Sequence, residues 1–421
     1  MCKTKTATDV AEPSQVAEAY RRSSPIITPR TPKSQPTFIP STTSSSSYLL
    51  NASQITTASS LSSATSQLST LRDSLPENTQ FYDYSEIRSA TNNFLAKRYS
   101  SSSTPSWRCN LRGKDVIVFQ RKKLRRRLLI NHHESQFKER LTALCSTHHA
   151  SIISLVGATL SSSESDYVYL VYDFVSGGST LADCLRNPKI SNFTSLPTWM
   201  SRIQIASDLA QGLDYIHNNI RIGSEFNFVH KHIRSSSVIV TEPSLNAKIC
   251  HFGTAVLTGE IGWLNEISSE NRSMQFEGDR GYMSPEFQSN GIPTKKSDVF
   301  AFGVVILELL SGEEPVKYRF DRERSNYQKF SVIDAAKEAV DGGEGRLRSW
   351  IDRRLNDSFP VSVAVKLTRV ALRCVHVDAV ERPDMRRVVG KISELYLASA
   401  DWLTRVKPHP SDHFTASFAP R

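Results

Sequence analysis

Long apolar runs are missing from this chain of 421 residues. A helix that crosses a bilayer needs roughly 18 or more consecutive apolar residues. The best stretch, Val299 to Leu310, falls short and carries Glu308, as a buried core helix would. No secretory leader is expected either. Met1-Cys2-Lys3-Thr4 runs into polar sequence, and Cys2 stands where myristoylation needs glycine. Cysteine is scarce: six residues, scattered, with no CxxC pair, a usage that points to reduced thiols rather than a disulfide scaffold. Cys145 with His148 and His149 has the wrong spacing for structural zinc, and no metal site is expected there. The chain is expected to be cytoplasmic.

Charge is not balanced. The net charge of +10 is partly concentrated in Arg121-Lys122-Lys123-Leu124-Arg125-Arg126-Arg127. Such a run can meet acidic lipid or nucleic acid. No interleaved aromatics or nucleic-acid motif accompany it, so it reads as a solvated loop after a strand, and no nucleic-acid partner is expected.

Hydrophobic content of 39% and this length suit one large domain with tails. Residues 1–78 are rich in Ser, Thr, Pro and Gln, and more than half of residues 41–70 are Ser or Thr. That composition buries too little apolar surface to offset chain entropy, so a disordered tail is expected. Ser24-Pro25, Thr28-Pro29 and Thr31-Pro32 lie among basic residues, which fits proline-directed phosphorylation and equally fits ordinary tail composition. Ordered sequence begins near Phe81. Tyr84 to Phe94 has Ile87, Ala90, Thr91 and Phe94 on one helical face. Val116 to Phe119 and Tyr167 to Tyr172 read as buried strands. Helical periodicity follows in Gln136–Leu144, Met200–His217, Val299–Leu310 and Val363–Cys374. Strands first and long helices later predict an α+β fold, a small sheet-rich lobe followed by a larger helical one.

Several segments together resemble the plant receptor-like kinase superfamily, most closely the intracellular domains of LysM receptor-like kinases. They are Phe81 to Phe94, His148 to Gly157, Leu170-Val171-Tyr172-Asp173-Phe174 and Arg202 to His217. Gly281-Tyr282-Met283-Ser284-Pro285-Glu286, Ser297-Asp298-Val299-Phe300-Ala301-Phe302-Gly303-Val304 and Arg382-Pro383-Asp384-Met385 follow at the family's distances. The resemblance implies a bilobal protein-kinase fold. A lead-in helix segment would span 79–98 and a kinase-like domain 99–398, with lobes at about 99–173 and 174–398. Residues 399–421 would form a tail.

The same resemblance exposes what is missing. Phosphoryl transfer depends on positioning and on cancelling phosphate charge. The three glycines of the phosphate-covering loop fall at Tyr99, Ser101 and Thr104, where side chains intrude, and Pro105 removes a donor. The third-strand lysine falls at Phe119 and its glutamate partner at Arg140, with Arg121 or Lys122 as displaced substitutes. The catalytic loop reads His230-Lys231-His232-Ile233-Arg234-Ser235-Ser236-Ser237. His232 replaces the base aspartate, Arg234 the lysine and Ser237 the metal-binding asparagine. The metal-binding aspartate of Asp-Phe-Gly has become His251. Magnesium wants hard oxygen ligands, and neutral imidazole is a poor one.

Scaffold positions survive. By resemblance, Glu286 and Arg382 form a buried ion pair, and Asp298 holds the catalytic-loop backbone. The nucleotide pocket, degenerate, would comprise Tyr99, Ser101, Thr104, Ile117, Tyr172, Asp173 and Ile239. The implied function is a pseudokinase that docks an active receptor-like kinase or its substrate. A divergent active Ser/Thr kinase is the alternative. No cofactor is expected to be required, with at most weak, metal-independent ATP binding. Membrane association is at most peripheral, at the inner face of the plasma membrane.

Overall fold

Strand formation in the first lobe follows the alternation of Lys114–Lys122, whose β-branched run sends Val116 and Val118 to one face and Ile117, Phe119 and Arg121 to the other. A computed structural model describes residues 79–99, 104–123, 133–159, 166–187, 196, 198–220, 228–261, 281–321 and 326–406. The Ser/Thr-rich segment 1–78, Ser101 and residues 124–127 of the basic run lie outside the described residues.

The first sheet comprises β1 (Gln80–Tyr82), β2 (Ser106–Leu111), β3 (Lys114–Lys122), β4 (Leu155–Thr159) and β5 (Tyr167–Asp173), in the order β1-β4-β5-β3-β2. All pairings are antiparallel except β1 on β4. Gly157 is required there, because a Cβ would meet the Gln80 carbonyl oxygen at 1.9 Å. One face of the sheet carries Trp107, Val116, Val118, Tyr169 and Val171 and packs against Ile87 of α1 (Tyr84–Ala90).

The lead-in segment differs from its expectation as a helix through Phe94. It is a strand followed by a short helix. Asn92, Asn93 and Phe94 are left-handed, with φ of 52°, 55° and 63°. Thr91 Oγ1 bonds back to Ile87 O, so the helix closes there. Phe94 still reaches the core, its ring 5.1 Å from those of Tyr169 and Trp107. Helix α2 (His133–Cys145) then crosses to β4.

The larger lobe begins with β6 (Gly178–Thr180), α3 (Leu181–Arg186) and α4 (Trp199–Asn218), capped by Thr198, whose hydroxyl accepts from Ser201 N. Strands β7 (Val238–Thr241) and β8 (Ala247–Ile249) flank the loop between them and form a sheet with β6. Short helices α5 (Thr254–Leu257) and α6 (Pro285–Asn290) lead to α7 (Lys295–Ser311). A capping box of Thr294 and Ser297 starts α7, and Gly312 in the left-handed region stops it. Its residues from Ser297 to Ser311 are buried, so the longest apolar stretch is the core helix its Glu308 implied.

The hairpin β9 (Val316–Asp321) and β10 (Asn326–Ser331) precedes α8 (Val332–Asp341), α9 (Gly343–Trp350), α10 (Val361–Cys374) and α11 (Met385–Val406). Helix α11 runs past the boundary expected at residue 398, because Ser399 is buried and accepts from Trp199 Nε1 at 2.8 Å. Among the described residues, no helix is long and apolar enough to cross a membrane.

Candidate functional site

The site is built around the loop that links α4 to β7. Asp298, near the start of α7, accepts from the backbone N–H of His230 at 2.6 Å and of Lys231 at 2.7 Å. Its Oδ2 also lies 3.1 Å from His217 Nε2. Lys231 is held left-handed, at φ 69°, by those contacts. His230 is buried; its Nε2 faces Cys250 O at 2.9 Å and its Nδ1 accepts from His232 N at 3.2 Å. That pair of partners fixes the neutral tautomer with the proton on Nε2. Burial, the largest cause, pushes its pKa down to about 4.

Arg382 and Glu286 form a two-pronged ion pair, both distances 2.7 Å. Arg382 Nε, Nη1 and Nη2 also donate to the carbonyls of His376, Lys296 and Val377. All five guanidinium protons thus have acceptors.

From β3, Phe119 and Arg121 point into the cleft between the lobes. Phe119 lies edge-on to His251, 4.7 Å between ring centroids, and to Tyr172 at 5.8 Å. It contributes a ring where the resemblance implied a lysine. Arg140 is half-buried on α2, and burial pushes its pKa down. Arg121 is only 7% exposed, and its Nη2 lies 3.1 Å from His251 Nδ1. The basic run expected to be a solvated loop therefore begins inside a strand, with Arg121 buried.

Those contacts decide what the metal-binding positions hold. Arginine only donates, so His251 Nδ1 must accept and its proton sits on Nε2. Burial first, then the charge of Arg121, holds His251 neutral, well below the usual histidine range. Its backbone is left-handed, at φ 64°, which histidine tolerates better than most side chains. Ser237 Oγ accepts from Arg234 Nε at 2.9 Å. Each position that the resemblance assigns to a magnesium ligand thus faces a guanidinium. A divalent cation placed there would meet two fixed positive charges and, among the described residues, no carboxylate at either ligand position. The residues present do not fit magnesium.

A carboxylate does enter the site, from an unexpected place. Glu260, after α5, receives Lys231 Nζ at 2.6 Å and Thr258 Oγ1 at 3.0 Å. His232 Nε2 lies 3.1 Å from the same Glu260 oxygen as the lysine, an ion pair only when the ring is protonated, and without hydrogen-bond alignment. Burial alone would raise the Glu260 pKa; His232 and Lys231 outweigh it and hold the carboxyl well below its usual range. His232 is itself pushed down by burial, partly offset by Glu260. The group at the general-base position is engaged by a carboxylate of the chain itself.

The other residues expected in the pocket have these contacts. Tyr172 donates to Phe252 O at 2.7 Å and sits 2.9 Å from Thr254 Oγ1. Asp173 closes β5, its N–H bonded to Ser154 O and its carboxylate 2.9 Å from Lys114 Nζ. Tyr99 meets the Phe174 ring edge-on at 6.0 Å, and Arg108 covers that ring at 3.8 Å. Ile117 and Ile239 are both nearly buried, and Thr104 is half-buried on the approach to β2. Gly253, at φ 79°, lets the chain turn beside Leu144, whose Cδ1 a Cβ would meet at 2.9 Å.

Arg121 is readable in the sequence as a residue of the Ile117–Phe119 face. Glu260 is not: it follows Gly259 in a stretch without any motif. Nor does sequence reasoning find the buried cluster in which Glu308 takes Arg186 at 2.8 Å, Ser235 Oγ at 2.9 Å and Tyr282 OH at 2.7 Å.

Arg121 Nε finds no hydrogen-bond partner among the described residues. Among the described residues its only carboxylate influence is the more distant Glu260, and burial pushes its pKa down. A buried charge without a close counter-ion costs more than an apolar side chain of the same volume. Arg121→Met is therefore expected to raise the unfolding free energy by about 1–4 kcal/mol. Urea titration at pH 7.5 measures it, and a loss of stability would contradict the electrostatic account.

Comparisons with known proteins place the fold. Residues 112–392 match the family described as protein tyrosine and serine/threonine kinase. The chain is 29% identical to LysM domain receptor-like kinase 3 of Arabidopsis thaliana over 77% of its length and 48% of that protein's. It is 30% identical to Protein LYK5 of the same plant, over 81% of its length and 46% of the relative's. With Chitin elicitor receptor kinase 1 of Physcomitrium patens the identity is 27%, over 78% and 48%. The chain spans about half the length of these curated relatives.

Proposed function

The chain belongs to the protein tyrosine and serine/threonine kinase family, and from that premise we propose that it is a catalytically impaired member, a scaffold or allosteric partner in plant receptor-kinase signalling. One observation carries this reading. The residues at both metal-ligand positions, His251 and Ser237, are engaged by Arg121 and Arg234. Catalysis in this family rests on metal ions that bridge and neutralise the phosphates. The proposed partner is an active receptor-like kinase or its substrate. The framework of Asp298, Glu286 and Arg382 would present a kinase-shaped surface to it. The proposed location is the cytoplasm, at the inner face of the plasma membrane.

Full-length protein incubated with magnesium and labelled ATP is expected to incorporate no phosphate above a blank without protein. Robust autophosphorylation that vanished in His232→Ala would overturn the proposal.

A second reading, a divergent Ser/Thr kinase, draws on one observation: Arg121 brings a strand cation back into the cleft. The same cation, with Arg234, supports phosphate binding without metal. Thermal unfolding separates the two, since a ligand of the folded state raises the midpoint. ATP with chelator is expected to stabilise at least as well as magnesium-ATP, and Arg121→Met to remove the shift. A shift that needs magnesium would favour the divergent enzyme.

A further inference from the structure

We propose that the cleft between α9 and α10 is a binding site for a medium-chain carboxylic acid, its alkyl chain laid along Val361 and Val365 and its carboxylate on Arg369. The cleft holds about 320 Å³ and is lined on one side by Leu347 of α9 and Val340 at the end of α8. That is room for roughly ten water molecules. The opposite wall is a stripe on α10, Val361, Val365 and Arg369, at the four-residue spacing that keeps side chains on one helical face. Both valines are only part-buried, whereas Val363, Ala364 and Leu367 of the same helix are buried. Protein interiors are close-packed, so a space this large against three valines and a leucine is one the chain leaves unfilled. Water in front of those side chains finds few partners, and an apolar group that displaces it gains affinity.

The charges select the head. Arg369 is exposed and has no partner among the described residues. Glu344 is the one carboxylate on the lining, and Arg348 Nη2 holds it at 3.1 Å. Helix α10 adds Lys366 and Arg373, both exposed, and carries no acidic residue. A guanidinium takes a carboxylate in a two-pronged contact, so an anionic head is favoured over a neutral or cationic one. The dimensions select a small ligand over a protein segment. A stable protein interface takes about 800 Å² from each partner, yet none of the large apolar side chains on α8, α9 or α10 is exposed. Clefts of about 300–1,000 Å³ with apolar walls and few polar groups are those of small-molecule sites. Arg369 stands eight residues beyond Val361, about 12 Å along the axis, a distance that an extended acid of roughly eight to ten carbons spans.

The test is calorimetric titration of the full chain at pH 7.5 with straight-chain acids from hexanoate to dodecanoate, each below its micellar concentration. Affinity is expected to climb about fourfold per methylene as far as decanoate and then to level off. Decanol, which lacks the charge, is expected to bind roughly tenfold more weakly than decanoate. Arg369→Gln should erase that preference and leave decanol binding unchanged; the residue is exposed, so its replacement leaves the fold intact. Val365→Trp, which fills the cleft, should remove the binding of both, with the unfolding midpoint as the check on its fold. Absence of decanoate binding overturns the proposal, as does binding that Arg369→Gln leaves at full strength. Affinity that keeps climbing through dodecanoate, the mark of unspecific partitioning, overturns it too. So does binding of an acetylated Asp-Leu-Leu-Asp peptide without binding of decanoate, which would assign the cleft to a protein partner.

Discussion

Replacing Arg382 with alanine is expected to lower the unfolding free energy by about 3–5 kcal/mol, the cost of breaking a buried ion pair from one side. Arg382 is fully buried as a side chain, whereas Glu286 is a quarter exposed. Its loss removes both guanidinium donors from the Glu286 carboxylate, which keeps only the Ser284 hydroxyl among the described side chains, and one donor from each of three carbonyls, of His376, Lys296 and Val377. It also removes the cation 5.1 Å above the Phe300 ring. Denaturant unfolding of the two proteins measures the difference. Arg382→Lys should recover little, because an ammonium cannot make the parallel two-pronged contact. Glu286→Gln should cost less than Arg382→Ala, since its carboxylate is partly solvated and the amide still accepts one bond. An Arg382→Ala protein within about 1 kcal/mol of the parent, the size of a typical surface ion pair, would show that the pair is ornamental to folding.

This asymmetry explains what is legible in the sequence. Arg382, Glu286 and Asp298 are recognisable because one geometry of chain and charge satisfies them, and their spacing along the sequence is fixed by the helices that carry them. The long helices declare themselves through apolar periodicity, and α7 through an apolar run interrupted only by Glu308. The lead-in segment is less uniform than its periodicity. The register that makes Gln80–Tyr82 a strand depends on Gly157, a partner far along the chain, which local periodicity cannot see. The altered positions can be found in the sequence, but their new partners cannot. That His251 is held by Arg121 follows from the alternation of β3 and the path of the later loop together. That Glu260 answers Lys231 and His232 depends on a tertiary approach with no motif at all. Loss of a family residue can be read from sequence; what fills the place it leaves is a property of packing.

The filling has a consequence for acid stability, and it is the second large effect expected. His230, His232 and His251 are all held below the ordinary histidine pKa, with burial the leading cause in each. Above about pH 6.5 each is neutral both folded and unfolded, so none contributes to the difference. As pH falls below about 6.5 the unfolded chain gains these protons and the folded one does not, so stability falls. His230 stays neutral down to about pH 4. Its share of the loss across that window is therefore about 3 kcal/mol. His251 adds to it, because a proton on Nδ1 would set an imidazolium 3.1 Å from the Arg121 guanidinium. Glu260 acts later and in the same direction. Its depressed pKa contributes stability that is present above the ordinary carboxyl range and lost as pH falls below about 4.5. Urea midpoints from pH 7.5 to 4 should thus fall steadily from near 6.5 and steepen near the end. His251→Gln, which keeps an acceptor for Arg121 but cannot titrate, is expected to flatten the upper part of the curve. A wild-type profile level between pH 6.5 and 5 would mean that these rings take up protons without penalty, and the cationic cleft would lose its physical basis.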